Sequence, residues 1–365
     1  MSKLLKINVL CIVISMLINI FPDIVGAEDY LWGNMNSSEM FNVDDYITSA
    51  EEIDNDNEND YVEPYKQFLI KYIDSNGEKL EIEKTYINPY FDMIQLSSEI
   101  DTEQYIKNLK ENNENIAYIQ QDYKLILSTS DTETETVPET NIEENNPFGL
   151  KTIYPKELFP TNQSQETNIV DSVIDTNNVI VAVIDSGIDI EHDALKDNIF
   201  VNSAEIANNS DSDNNGYIDD ISGWDFVNNT SLSYEHNQIV EYSHGTHVAG
   251  IIAGNSDEIQ GVHSKAQILP LKAFESGSGY TSDIIRAINY AEEMGAKIVN
   301  CSFGSNDDNE ALKETIEYSN MLFICAAGNQ SINIDETPFY PASFDLDNII
   351  SVGAINADNS LAYFS

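Results

Sequence analysis

VIVAVIDSGID, residues 179–189, runs six consecutive apolar residues into an aspartate and a glycine-containing turn. A half-exposed strand alternates apolar and polar positions, whereas the unbroken run Val179 to Ile184 is what a strand covered on both faces requires. The rhythm continues downstream. TSDIIRAINYAEEM spaces Ile284, Ile285, Ile288, Ala291 and Met294 at helical period, with Thr281 or Ser282 available as cap and Gly295 as stop. KIVNCSF and MLFICAA read as strands with NEALKETIEYS as the helix between them, and NIISVGAI is one strand more. From Pro147 onward this alternation predicts an α/β fold, a parallel sheet with helices on both faces. In such sheets, binding and catalytic groups gather at the carboxyl ends of the strands.

Working outward, 365 residues suffice for two domains or for one large domain with a processing segment. Residues 1–27 read as a secretory signal peptide: Lys3 and Lys6 precede the apolar run Ile7 to Phe21, and Val25-Gly26-Ala27 forms a small-residue cleavage site. The run is short for a membrane span and no second one follows, so the expectation is a secreted, extracellular protein. Residues 28–64, including AEEIDNDNENDYVEP, are polar and acidic and read as disordered. Residues 65–127 read as a small α+β unit, with YKQFLIKYID and IAYIQQDYKLIL as strands and TEQYIKNLKENN as a helix presenting Tyr105, Ile106 and Leu109 on one face. Residues 128–147 form an acidic, Thr-rich linker open to proteolysis, and 148–365 form the α/β domain.

The net charge of −46, from 17 basic and 63 acidic residues, excludes a basic footprint for nucleic acid or anionic membrane. Cys301 and Cys325 each sit inside an apolar run and read as small buried hydrophobes; export permits a disulfide between them but nothing requires one.

The first strand delivers Asp185 at its carboxyl end, where an aspartate can simply cap the next segment. SHGTHVAGIIAG, residues 243–254, reads as a helix start that presents His244 at the same sheet edge, followed by small residues that permit close packing. An aspartate bonded to one ring nitrogen fixes the tautomer and leaves the other nitrogen as a general base. His244 and His247 are three apart with Gly245 and Thr246 between them, unlike the helical zinc motif, which spaces its histidines by four around a glutamate. FICAAGNQS places Asn329 at a third strand end; it serves either an unusual backbone angle or as an amide donor to a developing oxyanion.

VAVIDSGID, HGTHVAG and AAGN, in that order, resemble the subtilisin-like serine proteases, the subtilases. The resemblance implies that Asp185 orients, His244 is the base and Asn329 donates to the oxyanion, in a serine endopeptidase that needs no cofactor for its chemistry. NCSFGS resembles the strand lining the family's S1 pocket, which assigns Ser302, Phe303 and Gly304 to substrate contact. ESGSGYTS resembles the segment that pairs with the substrate backbone, which assigns Gly277, Ser278 and Gly279. The unit at 65–127 resembles the propeptide that assists folding and inhibits the enzyme until it is cut away, so the implied partners are a peptide or protein substrate and the chain's own propeptide. Acidic secreted subtilases include the bacteriocin (lantibiotic) leader peptidases.

DSDNNGYIDD, residues 211–220, matches the first half of an EF-hand loop at Asp211, Asp213 and Asn215, with a glycine sixth but Ser222 in the twelfth place. By the resemblance, this loop and GWDFVNN make Asp211, Asp213, Asn215, Asp219, Asp225 and Asn228 candidate ligands of a structural calcium, against a plain Asx-rich turn. The family's nucleophile lies in a Gly-Thr-Ser-Met-Ala type motif. The only Gly-Thr pair here is Gly245-Thr246, and LAYFS resembles a segment that precedes the nucleophile. The expectation is therefore a subtilase cut before its serine and inactive as it stands, the alternative being a non-catalytic remnant that binds peptides.

Overall fold

The computed structural model describes residues 65–128, 179–232, 239–256, 259–356 and 360–365; the signal peptide, the acidic segment and nearly all of the linker lie outside them. The first described unit is an antiparallel sheet of order β2-β3-β1-β4, built from β1 (Tyr65–Tyr72), β2 (Thr85–Asn88), β3 (Phe91–Ser97) and β4 (Ile116–Gln121). Helix α1 (Thr102–Asn112), capped by Asp101 on the Gln104 amide, lays Tyr105, Ile106 and Leu109 against the face formed by Phe68, Ile70, Ile94 and Leu96. The alternate residues of the same strands, Leu69 and Phe91, point the other way and join the core of the larger domain.

That domain is built on a seven-stranded sheet of order β14-β13-β11-β6-β9-β7-β8. Its strands are β6 (Ile180–Asp185), β7 (Trp224–Asp225), β8 (Thr230–Ser231), β9 (Gln267–Lys272), β11 (Ile298–Cys301), β13 (Leu322–Ala326) and β14 (Ile349–Val352). All neighbours are parallel except the β7–β8 pair. Val181 and Val183 enter the core under helix α2 (Ile239–Ala253). Ala182 and Ile184 enter the opposite core under α3 (Thr281–Glu293) and α4 (Glu310–Tyr318). The unbroken apolar run thus serves two cores, each fully buried aliphatic side chain stabilising the fold by about 1.5–3 kcal/mol. Cys301 and Cys325 face each other across β11 and β13 as buried free thiols.

Two local expectations differ from the structure. Helix α2 already includes Ile239 to Ser243, so His244 lies inside it rather than at its start; Glu241 complements the dipole of the first turn and buried Tyr242 anchors that turn. Helix α3 is not capped by Thr281 or Ser282 themselves. Its first amides are satisfied by the first unit: Thr281 N–H donates to the Tyr123 carbonyl and Ser282 N–H to Asp122 Oδ1, both 2.9 Å. Beside it, Asn309 caps α4 on the Leu312 amide and accepts from Gln120 Nε2 at 2.6 Å. The turn at 120–123 therefore closes the amino termini of two helices more than 150 positions away in sequence.

Burial pushes the Asp122 carboxyl up to about 7, the hydrogen bond from Ser282 opposing this and Asp283 adding to it. In an unfolded chain the group titrates near ~3.9, so folding takes up a proton between the two values. The stabilisation associated with the protonated group is fully present below ~3.9 and is lost as pH rises through about 7. Asp122→Asn keeps an acceptor for Ser282 and removes the charge. The melting temperature of the parent relative to this variant is expected to fall between pH ~4 and ~7 and to level off above, whereas parallel curves would reject this assignment.

Candidate active site

Asp185 ends β6 completely buried, its Oδ1 accepting from the Ser186 amide at 2.7 Å. Both of its carboxylate oxygens face His244 Nδ1, at 2.8 and 2.9 Å. The contact depends on how closely α2 crosses the end of β6. A Cβ on Gly245 would stand 2.2 Å from the Gly187 carbonyl oxygen and 3.1 Å from Asp185 Cβ, so only glycine permits the approach. Thr246 adds a link, its hydroxyl accepting from the Asp189 amide at 2.9 Å.

Burial alone depresses the His244 pKa. The Asp185 carboxylate, by charge and hydrogen bond, more than offsets it, and the Ser128 backbone carbonyl acts in the same sense, so the net displacement is upward. With Nδ1 held by Asp185, Nε2 is buried without a hydrogen-bond partner, the arrangement of a base oriented from behind and free in front. His247 is exposed on the same helix and is not brought to this pair. His192 accepts from the Ala194 amide through Nδ1, a local structural role.

Asn329 follows β13 through Gly328, whose φ of +95° and contact with Phe339 suit glycine. Its Nδ2 is also buried without a partner, a donor available to charge that develops later. Of the two readings weighed from sequence, the unusual backbone angle belongs to Gly328 and not to Asn329, whose side-chain amide is the uncommitted group.

The residues expected to touch substrate converge on one strand of this same chain. β5 (Lys124–Leu127) does not extend the first unit's own sheet. It lies antiparallel between β10 (Ser278–Tyr280) and β12 (Phe303–Gly304), with Ser278 opposite Ile126, Gly279 opposite Leu125, Phe303 opposite Leu127 and Gly304 opposite Ile126. Leu127 N–H donates to the Gly277 carbonyl at 3.0 Å and Ser128 N–H to the Ser302 carbonyl at 2.9 Å. KLIL alternates as a strand should, but nothing local marks which edges it joins.

The candidate calcium ligands divide. Asp213 lies with Glu205 and Asp220, carboxylate oxygens of all three within 4.8 Å of one another, the one such His/Cys/Asp/Glu group among the described residues. Asn215 reaches it, donating through Nδ2 to Asp220 and Asp213. Asp211 instead accepts from the Asn215 and Gly216 amides, and Asp219 from those of Asn208 and Asn209. Asp225 and Asn228 bond each other, with Asp225 3.8 Å from buried Lys272, so they form a separate cluster. Glu205 and Asp220 were missed because the first lies upstream of the loop and the second is fully buried against Tyr290. Burial raises the Asp220 pKa and the Asp213 charge adds to it, against hydrogen bonds from Tyr290, Asn215 and Asn202.

Comparison with known proteins bears on this geometry. The profile of the Subtilase family matches residues 176–365. Subtilisin-like protease 1 of Plasmodium berghei (strain Anka) is 35% identical over 184 residues, 48% of this chain and 29% of that protein. The major intracellular serine protease of Bacillus subtilis (strain 168) is 34% identical over 197 residues, 52% of this chain and 54% of that protein. The match thus spans between a quarter and little more than half of these relatives. Among solved structures, the epidermin leader peptide processing serine protease of Staphylococcus aureus superposes with a TM-score of 0.51 at 20% identity, covering 82% of this chain and 72% of that one. Fervidolysin from Fervidobacterium pennivorans gives 0.52 at 20% identity, covering 80% and 43%. At such identities the two structures are alike in fold.

Asp185→Asn removes the charge that holds the imidazole pKa up and leaves the burial that pulls it down. The His244 ring titration, followed by NMR in the 365-residue chain, is expected to drop below the ordinary ~6.5 in this variant and to lie above it in the parent; an unchanged midpoint would refute the pairing.

Proposed function

The chain belongs to the subtilase family of serine proteases, and from that premise we propose that it belongs to a secreted endopeptidase, made as a zymogen, which cleaves peptide bonds with Asp185, His244 and a serine. One observation carries the proposal: His244 Nε2 is buried and unpartnered where a strand of the same chain, ending at Ser128, lies antiparallel in a groove. In this mechanism the serine hydroxyl gives its proton to Nε2 as its oxygen attacks the carbonyl, Asp185 stabilises the resulting imidazolium, and Asn329 Nδ2 donates to the oxyanion. Residues 65–128 act as the intramolecular inhibitor, since β5 fills the position a substrate strand needs. The proposed substrate is a peptide or protein; the lantibiotic leader peptidase reading has support in fold alone. Among the described residues no helix is long and apolar enough to cross a membrane.

The 365 residues hold no Gly-Thr-Ser stretch, and Ser365 is engaged elsewhere, its Oγ accepting from the Ala354 amide at 2.7 Å. We therefore expect neither fluorophosphonate labelling nor peptide hydrolysis from these 365 residues. Loss of the serine lowers turnover on the order of a million-fold in this design. Hydrolysis by the 365-residue chain, abolished by His244→Ala, would overturn the reading and place the nucleophile among the serines already present.

A structural calcium is the second part of the proposal. Glu205, Asp213 and Asp220 supply hard carboxylate oxygens. An ion there relieves the repulsion that, with burial, raises Asp220. It plays no part in the chemistry. Calcium is expected to raise the melting temperature over a chelator-treated sample and Asp213→Asn to reduce the difference; equal midpoints would exclude the metal.

A further inference from the structure

Helix α2 begins a turn before His244, and that extra turn reaches the groove. Glu241, three residues ahead of the base, does more than complement the helix dipole: its Oε1 accepts from the Ser276 amide at 2.9 Å. Ser276 belongs to the tight turn that leads into β10. Glu275 N–H donates to the Ser278 carbonyl at 2.9 Å and Ser278 N–H to the Glu275 carbonyl at 3.1 Å, so Ser276 and Gly277 alone carry the reversal. Both have positive φ, +50° and +76°, as the hairpin turn whose twist matches its flanking strands requires. Gly277 adopts this freely, whereas the Cβ of Ser276 disfavours it. A serine keeps such a conformation only where its surroundings hold it there, and the Glu241 carboxylate does so.

The turn is gripped from a second side. The Lys272 side chain, 1% exposed at the end of β9, places its Nζ 3.5 Å from Glu275 Oε1 and 3.8 Å from Asp225 Oδ2. Lys272 is the sheet partner of Asp185. The hairpin is thus held by one neighbour of each member of the Asp185–His244 pair. Packing does little here: residues 275–277 are exposed, and a Cβ on Gly277 would meet nothing within 4 Å. What the turn positions is an edge of the groove. The Gly277 carbonyl accepts from the Leu127 amide, and Ser278 and Gly279 stand opposite Ile126 and Leu125.

We propose that Glu241 is a positioning residue: through the Ser276 amide it fixes the turn from which β10 grows, so that α2 carries both the imidazole and one edge of the groove. A strand laid along β10 is then held in register with His244. What that register serves rests on the peptidase reading above. Release of the turn would shift the Gly277 carbonyl, and with it the strand, while leaving the contact between Asp185 and His244 in place.

The test is amide hydrogen exchange, read residue by residue in the 365-residue chain, for the parent, Glu241→Gln and Glu241→Ala. Glutamine keeps a carbonyl oxygen for the Ser276 amide but lacks the charge that complements the helix dipole; alanine lacks both and favours the helix. In Glu241→Ala the Ser276 and Leu127 amides should exchange at least about tenfold faster. The Ser128 amide, bonded to the Ser302 carbonyl on the β12 side, should keep the parent's rate. Glu241→Gln should stay within about threefold of the parent throughout. Adding Ser276→Gly to Glu241→Ala should recover about fivefold of the lost protection at Leu127, because glycine holds a positive φ unaided. Glu241→Met replaces the alanine variant should that fail to fold. Unchanged exchange at Ser276 and Leu127 would overturn the proposal. So would glutamine behaving as alanine, the outcome if Glu241 acts only by its charge on the helix, and so would equal acceleration at Ser128, which would mark a general loosening of the first unit. None of these readouts involves turnover, so their failure leaves the peptidase reading standing.

Discussion

The site depends on one close approach: helix α2 crosses the end of β6 near enough for Asp185 to hold His244 Nδ1 with both carboxylate oxygens. The approach is governed by what is missing from Gly245, since any Cβ there would meet the Gly187 carbonyl. Because the sheet is covered on both faces, the Asp185 carboxylate is cut off from solvent, and its oxygens are satisfied instead by the imidazole and the Ser186 amide. The same burial that makes the aspartate effective makes it dependent on its partner.

A second dependence runs the other way along the chain. The turn at 120–123 closes the amino termini of α3 and α4 with Asp122, Tyr123 and Gln120, and Lys71 pairs with Glu314 of α4 at 2.7 Å. These contacts fix where the first unit sits, and the chain leaving that turn runs directly into β5. Recognition of the helix ends and occupation of the groove are therefore joined by the two residues between β4 and β5. The strand is aimed by the caps rather than by its own sequence.

What the sequence made legible follows from the range of each interaction. VIVAVI announces a doubly covered strand because every one of its residues is apolar, and the helices at 281–293 and 310–318 announce themselves by local period. Asp185 and His244 were readable as a pair because strand ends and small-residue helices converge at one sheet edge. The cap of α3 was not, because its donors find acceptors about 160 residues upstream and the local candidates Thr281 and Ser282 look sufficient alone. Glu205 and Asp220 escaped for a similar reason: nothing in an Asx-rich loop tells which carboxylates staple backbone amides, as Asp211 and Asp219 do, and which remain turned toward one another. His244 was misplaced by one helical turn because IVEYS has no apolar period of its own to extend the helix on paper.

The short strands β10 and β12 stand apart with a gap one strand wide, and β5 is hydrogen-bonded on both sides within it. Without β5, that gap is a pair of facing sheet edges with unpaired amides and carbonyls, adhesive to any extended polypeptide, another copy of this chain included. A newly made molecule would then be most prone to stick to its neighbours through these two edges. Covalent attachment of the filling strand removes that hazard at every protein concentration, because the competing strand is always present in the same molecule. Residues 124–128 thus keep both edges paired for as long as the protein remains one chain.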